Sequence, residues 1–198
     1  SRRAPAGLLL RPSEYRLLME SADAPPHYLG SGALGSVYEV TLGGTTVVLK
    51  RFFDSTLSAS AFEREATLLA ELRHPNVVQL LRVATRPQPC IVVERLVCSL
   101  HALLHEEGGS AELRRRMLSG AAATLSICQH ICRGMAYLHA LEPPVLHRNL
   151  KSQNLLVDEA GRVKISDFGW ARLLAQDSGR TFFAGWQWVA PEILAGAH

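Results

Sequence analysis

Apolar and polar residues alternate over the first half of the chain in short segments, as expected of a half-buried antiparallel sheet. Residues 37–42 alternate at a period of two, and residues 45–52 form a second segment of the same kind. The pair Gly43-Gly44 between them is typical of a tight hairpin turn. The pattern therefore predicts a β-hairpin. Further strands are predicted from residue 27 onward, at 77–84 and at 90–96.

Apolar residues recur at helical spacing in other segments. Between residues 60 and 73 they repeat every three or four positions, and Ser60 stands three residues before Glu63, as in a capping box. The sequence therefore predicts a helix over 60–73. A buried helix is also predicted at 124–140, a short helix at 99–105, an inserted loop at 106–123, and an extension or linker with a short helix or strand at 1–26.

Composition places the chain among ordinary globular proteins. Of its 198 residues, 47% are hydrophobic and 20% charged, and 21 basic residues slightly exceed 18 acidic ones. The basic run Arg114-Arg115-Arg116 is short, and a solvated face or flexible insert explains it better than a nucleic-acid patch. No apolar run approaches the roughly 20 residues of a membrane span, and the start does not fit a signal peptide. We expect a cytoplasmic protein, with a nuclear location also open.

The four cysteines lack the paired spacing of zinc-binding motifs and lie in apolar segments. We expect reduced, buried thiols of an intracellular protein. Cys128 and Cys132 are one helical turn apart, as are His101 and His105, but neither pair has the further ligands that a metal site needs. No metal site is predicted at either pair.

Several motifs whose residues could bind phosphates or take part in catalysis follow one another along the chain. The glycines of Gly30-x-Gly32-x-x-Gly35-x-Val37 would alone be a weak signal, because dinucleotide-binding folds use the same spacing. Here they are followed by strand residues rather than by a helix, which argues against that fold. Farther along come His147-Arg148-Asn149-Leu150-Lys151-Ser152-Gln153-Asn154, Asp167-Phe168-Gly169 and Ala190-Pro191-Glu192.

Together these motifs resemble the eukaryotic protein kinase domain, over about residues 27–198. The Lys-Ser-x-Asn and Trp-Val-Ala-Pro-Glu segments look most like the tyrosine-kinase-like group, whose active members mostly phosphorylate serine and threonine. The resemblance implies an α+β, two-lobe fold with a five-stranded N-lobe and one helix. The implied division is an extension at 1–26, an N-lobe at 27–96 and a partial, mainly helical C-lobe at 97–198. The chain ends just after Ala-Pro-Glu, so we expect a piece truncated at both ends.

The resemblance also implies a site for ATP and Mg²⁺. Lys50 matches the lysine that binds the α- and β-phosphates, and Glu65 its partner, with Glu63 and Glu71 as rivals on the same helix. Asn154 and Asp167 match the magnesium ligands. Lys151 matches the lysine that contacts the transferred phosphate. The implied adenine site comprises Gly30, Gly32, Gly35, Val37, Val48, Leu156 and the hinge from Glu94 to Leu96, with Val93 as gatekeeper.

The residue at position 149 departs from the kinase pattern. An aspartate there accepts the proton of the substrate hydroxyl, whereas the asparagine amide has no basic lone pair near neutral pH. A second departure is the short segment Gly185-Trp186-Gln187, which lacks the usual threonine. The resemblance implies an activation segment at residues 170–189. Arg148 would pair with a phosphate there, for which Ser178 and Thr181 are candidate acceptors, although they fit ordinary loop hydroxyls equally well.

Two classes of function therefore remain open. One is an ATP-dependent protein kinase that works without the base on a protein substrate. The other is a pseudokinase, a nucleotide-responsive module that regulates a partner protein. The sequence predicts neither a nucleic-acid partner nor a membrane segment.

Overall fold

A computed structural model describes residues 6–20, 25–105, 108–173 and 188–194. The chain divides between Leu96 and Val97 into two units, which are described in turn. The first unit contains a five-stranded antiparallel sheet in the order β1-β2-β3-β5-β4 and two helices. Its elements are α1 (Pro12–Glu20), β1 (His27–Gly32), β2 (Gly35–Leu42), β3 (Thr45–Phe52), α2 (Thr56–Glu71), β4 (Leu80–Ala84) and β5 (Cys90–Glu94).

The hairpin of β2 and β3 forms where the alternating pattern predicts it. Leu42 lies opposite Thr45. The two residues between them, Gly43 and Gly44, have φ angles of 57° and 82°. Glycine adopts such values without the steric penalty that a Cβ would bring, so the turn is closed by residues suited to it. The hairpin prediction is confirmed.

Helix α2 begins earlier than the sequence predicts. The Oγ atom of Ser55 accepts a hydrogen bond from the N–H of Ser58 at 3.1 Å, and Ser55 itself is extended, with φ −149° and ψ 153°. Ser60 lies inside the helix instead. The predicted capping box at Ser60 and Glu63 is therefore wrong, because an N-cap needs a non-helical backbone at the residue that accepts the bond.

The segment before residue 27 packs on the sheet. Leu10, Tyr15 and Leu18 are each no more than 5% exposed. The N–H of Leu10 donates to the carbonyl of Val83 at 2.7 Å, which extends the edge of the sheet at β4. The buried residues of this cluster are Leu10, Tyr15, Leu18, Val40, Val47, Leu49, Ala84, Cys90 and Val92.

Alternation along β3 separates this cluster from α2. Val47 and Leu49 belong to the cluster under α1. Phe52 contacts Phe62 of α2, with ring centroids 5.4 Å apart, and Lys50 reaches the same helix. Since successive strand residues point to opposite faces, one face of the sheet carries α1 and the other carries α2.

The second unit is mainly helical, with short strands. A three-stranded sheet has the order β6-β8-β9, and a separate two-stranded sheet pairs β10 with β7. Its elements are β6 (Cys98–Ser99), α3 (Leu100–Leu104), α4 (Ala111–Leu118), α5 (Ala121–His139), β7 (Val145–Leu146), β8 (Leu155–Val157), β9 (Val163–Ile165), β10 (Arg172–Leu173) and α6 (Pro191–Leu194).

Two expectations from the sequence are wrong. The stretch 106–123 is not simply an inserted loop, because it contains α4, which is capped by Ser110 and buries Leu113 and Met117. Nor are all four cysteines buried. Cys90 is buried and Cys98 partly so, whereas Cys128 and Cys132 are exposed on α5.

In the described parts of the chain, no helix is both long enough and apolar enough to cross a bilayer.

Candidate functional site

The glycine-rich segment of the first unit connects β1 to β2. Gly35 has no room for a side chain, because an added Cβ would lie 2.1 Å from the carbonyl oxygen of Arg51 on β3. Gly30 has a φ angle of 154°, which side chains other than that of glycine rarely allow. An added Cβ at Gly32 would meet nothing within 4 Å. Close packing therefore requires Gly35 and backbone conformation requires Gly30, while Gly32 leaves open space beside the backbone.

An ion pair joins β3 to α2. The Nζ atom of Lys50 lies 2.7 Å from Oε2 of Glu65, whose side chain is only 4% exposed. The ammonium also lies 5.0 Å from the ring centroid of Phe52. The alternative partners Glu63 and Glu71 are exposed. The structure thus brings Lys50 and Glu65 together, as the resemblance implies.

The residues expected around an adenine ring are placed within their own units. Val37, Val48, Val93, Leu96 and Leu156 are all only partly buried.

Two hydrogen bonds between Glu94 and Gln79 hold the end of β5. The N–H of Glu94 donates to the carbonyl of Gln79 at 3.1 Å, and its Oε1 accepts from the N–H of Gln79 at 2.8 Å. Sequence reasoning did not single out Gln79, whose backbone makes both contacts.

In the second unit, His147 is a buried support for the loop that follows it. Its Nε2 donates to the carbonyl of Ser166 at 2.9 Å, and its Nδ1 accepts from the N–H of Asn149 at 3.3 Å. The ring packs edge-on against Phe168, with centroids 5.0 Å apart. Burial lowers the pKa of His147, which favours the neutral ring that these two hydrogen bonds require.

Asn149 lies at the centre of a buried network of hydrogen bonds. Its Nδ2 donates to Oδ2 of Asp167 at 2.8 Å, and its carbonyl accepts from Nδ2 of Asn154 at 2.7 Å. Asn149 and Asn154 are 7% and 8% exposed. Ser166 adds to the network, since its N–H and Oγ both donate to the carbonyl of Asn154 at 2.9 and 3.0 Å. No motif pointed to Ser166, because it acts mainly through its backbone.

Two residues of this region have backbone angles that side chains rarely allow. Arg148 and Asp167 both have φ angles of 65°, and among the described residues other than glycine they alone have positive φ. Lys151 is half-buried, and its carbonyl accepts from the N–H of Asn154 at 2.9 Å. Strained positions of this kind cluster at functional sites in proteins.

A comparison with family models matches the protein kinase domain over residues 26–198. The chain belongs to the protein kinase family. Among curated proteins, it is 35% identical over 173 residues to the serine/threonine-protein kinase CTR1 of Arabidopsis thaliana. It is 37% identical over 172 residues to the probable serine/threonine-protein kinase drkD of Dictyostelium discoideum. Each match covers 84% of this chain.

These relatives are much longer than the matched region. The kinase chain spans 20% of the length of CTR1 and 13% of that of drkD. The comparisons and the five-stranded sheet agree on an α+β protein kinase fold.

The donor atoms of the second unit suit magnesium. A carboxylate at Asp167 and an amide oxygen at Asn154 are the hard ligands that this ion takes. Because Nδ2 of Asn154 is bound to the carbonyl of Asn149, its Oδ1 is the atom left for a cation. Within the described ranges, no cluster of three or more His, Cys, Asp or Glu side chains could hold a metal by itself.

Some predicted residues lie outside the described part of the chain. These are the candidate phosphate acceptors Ser178 and Thr181 and the short segment Gly185-Trp186-Gln187.

Proposed function

We propose that this kinase domain binds ATP with Mg²⁺, is of the class that phosphorylates protein serine and threonine, and has impaired or lost phosphotransfer because Asn149 replaces the base. The names of the relatives support the Ser/Thr class. The tyrosine-kinase-like assignment is supported by the sequence of the catalytic loop, residues 147–154. In this proposal Lys50, held by Glu65, binds the nucleotide phosphates. Asn154 and Asp167 bind the cation, which neutralises phosphate charge.

The observation that carries the proposal is the direction of the hydrogen bond at position 149. The side chain that would accept a substrate proton is instead a donor, and its amide hydrogen is directed at Asp167. In the proposal Lys151 contacts the transferred phosphate, as the kinase resemblance implies. Base catalysis is worth about 10²- to 10⁴-fold in rate, while alignment and charge neutralisation supply most of phosphoryl transfer. Slow residual transfer is therefore compatible with the site.

The test is phosphotransfer from labelled ATP with Mg²⁺, comparing the chain with its Asn149→Asp variant. We expect a rise of at least about 100-fold in the variant, as restoration of a base predicts. Gln153→Glu is the matched control, since it makes the same amide-to-acid change at an exposed neighbour and should change the rate little. Equal activity of the chain and Asn149→Asp would show that the base is dispensable.

The alternative is a pure pseudokinase, a nucleotide-responsive binding module without phosphotransfer. The contact between Asn149 and Asp167 favours it, because the two groups are already paired with each other. ATP binding measured by calorimetry separates the outcomes. Binding with no phosphotransfer in either variant supports the pseudokinase, and absence of ATP binding contradicts both proposals.

A further inference from the structure

The contact between Asn149 and Asp167 has only one chemically sensible orientation. A carboxylate oxygen only accepts hydrogen bonds, so the atom 2.8 Å from Oδ2 of Asp167 has to be the amide nitrogen of Asn149. The backbone N–H and carbonyl of Asn149 are held by His147 and Asn154. The backbone of Asn149 is thus held on both sides of the side chain that reaches Asp167.

An aspartate at position 149 could not make this contact. Two ionised carboxylates would then face each other at hydrogen-bond distance, which requires a proton or a cation between them. Asparagine satisfies the same carboxylate oxygen with no added charge.

The backbone conformation of Asp167 also needs support from its surroundings. Its φ of 65° and ψ of 70° lie in the left-handed region. For residues other than glycine this conformation is unfavourable in free energy, and it persists only where the surrounding structure holds it. The hydrogen bond from Asn149 joins the Asp-Phe-Gly turn to the catalytic loop, eighteen residues earlier in the chain.

We propose that Asn149 is a positioning residue whose amide takes the place of a divalent cation beside Asp167, so that the catalytic loop and the Asp-Phe-Gly turn keep their arrangement without metal. The inference rests on the proposed metal-binding role of Asp167 and goes beyond it, since it concerns the cation-free state. The catalytic loop and the Asp-Phe-Gly turn would then have the same arrangement for binding a ligand or partner whether or not Mg²⁺ is present.

Thermal unfolding in EDTA and in Mg²⁺, without nucleotide, tests the inference. The wild-type chain should melt at nearly the same temperature in both media. Asn149→Asp should melt several degrees lower than wild type in EDTA and recover in Mg²⁺, because the cation then lies between two carboxylates. Gln153→Glu adds the same charge at an exposed position and should behave as wild type in both media.

The double variant Asn149→Asp with Asp167→Asn, called the exchanged pair, tests whether the hydrogen bond between the two side chains, and not either residue alone, holds the arrangement. It retains one amide and one carboxylate with their positions swapped, so it should regain the wild-type melting temperature in EDTA and show no Mg²⁺ response. If Asn149→Asp does not fold in EDTA, the exchanged pair decides: a folded double variant supports the inference and an unfolded one overturns it.

Equal melting temperatures of wild type and Asn149→Asp in EDTA would overturn the inference. If the wild-type chain does not bind ATP, the proposed function alone is contradicted, because none of these unfolding experiments contains nucleotide.

Discussion

The ion pair of Lys50 and Glu65 shows how one buried charge depends on its neighbour. The Glu65 side chain is 4% exposed and lies on α2, while Lys50 reaches it from β3. Desolvating a carboxylate is costly, and the nearby ammonium offsets that cost. A second pair, Arg95 with Glu39, has a similar N–O distance of 2.8 Å but side chains that are 40% and 27% exposed. Burial, and not geometry, distinguishes the two.

We expect Lys50→Met to destabilise the chain by about 3 kcal/mol, because it removes the ammonium from a buried carboxylate. Arg95→Met should cost less than about 1 kcal/mol, since exposed ion pairs contribute little. Urea denaturation measures both. The double variant Lys50→Met with Glu65→Leu should recover much of the loss. If Lys50→Met cost no more than Arg95→Met, Glu65 would not depend on this lysine for its stability.

Helix α1 packs on the sheet of the first unit through one of its faces. Leu18 is 4% exposed and packs in the cluster on the sheet, whereas its neighbour Leu17 is 70% exposed. Adjacent residues on a helix point about 100° apart, so one leucine meets the sheet and the next meets water. This pair offers a matched test of how much the helix contributes.

Leu18→Ala should destabilise the chain by about 2–5 kcal/mol, as loss of a buried leucine leaves a cavity. Leu17→Ala should change stability by no more than about 0.5 kcal/mol. Chemical denaturation of the two variants gives the comparison. Equal effects would mean that α1 does not hold its place on the sheet in solution.

The sequence predicts elements well where the local signal is strong. The hairpin was predictable because Gly43 and Gly44 have the conformational freedom that the turn uses. Helix α4 was not, because Leu113 and Met117 are its two buried residues and three arginines lie between them. The docking of α1 was not predictable either, since Leu10 pairs with Val83, far along the chain. Such contacts depend on the assembled sheet.

Across both units of the chain, the motifs predict which residues belong to the candidate site but not every contact between them. Lys50 and Glu65 could be paired in advance because the kinase resemblance assigns that contact, and the structure shows it. The bond from Asn149 to Asp167 could not be, because the resemblance assigns aspartate to position 149 and an aspartate has no such donor. A departure from the family pattern therefore carries new contacts that the pattern cannot supply.

Three histidines lead us to expect that the folded chain loses stability in mild acid. Burial is the largest cause that lowers the pKa of His74, His130 and His147. Their pKa in the unfolded chain is about 6.5, so below that pH the unfolded state binds more protons than the folded state. Stability from the neutral rings is then present above about pH 6.5 and falls as the pH is lowered through that value.

Urea unfolding midpoints measured between pH 7.5 and 5.5 test this expectation, and they should decrease toward the acid end. Carboxyl groups contribute little in that window, because their ordinary pKa values lie near 4. His130 accepts a hydrogen bond from the N–H of Val163 at 3.4 Å through Nδ1. A glutamine oxygen can also accept that bond, so His130→Gln should fold and show a weaker pH dependence. Midpoints that stay level or rise toward pH 5.5 would contradict the assignment of neutral imidazoles to the buried His147 and the partly buried His74 and His130.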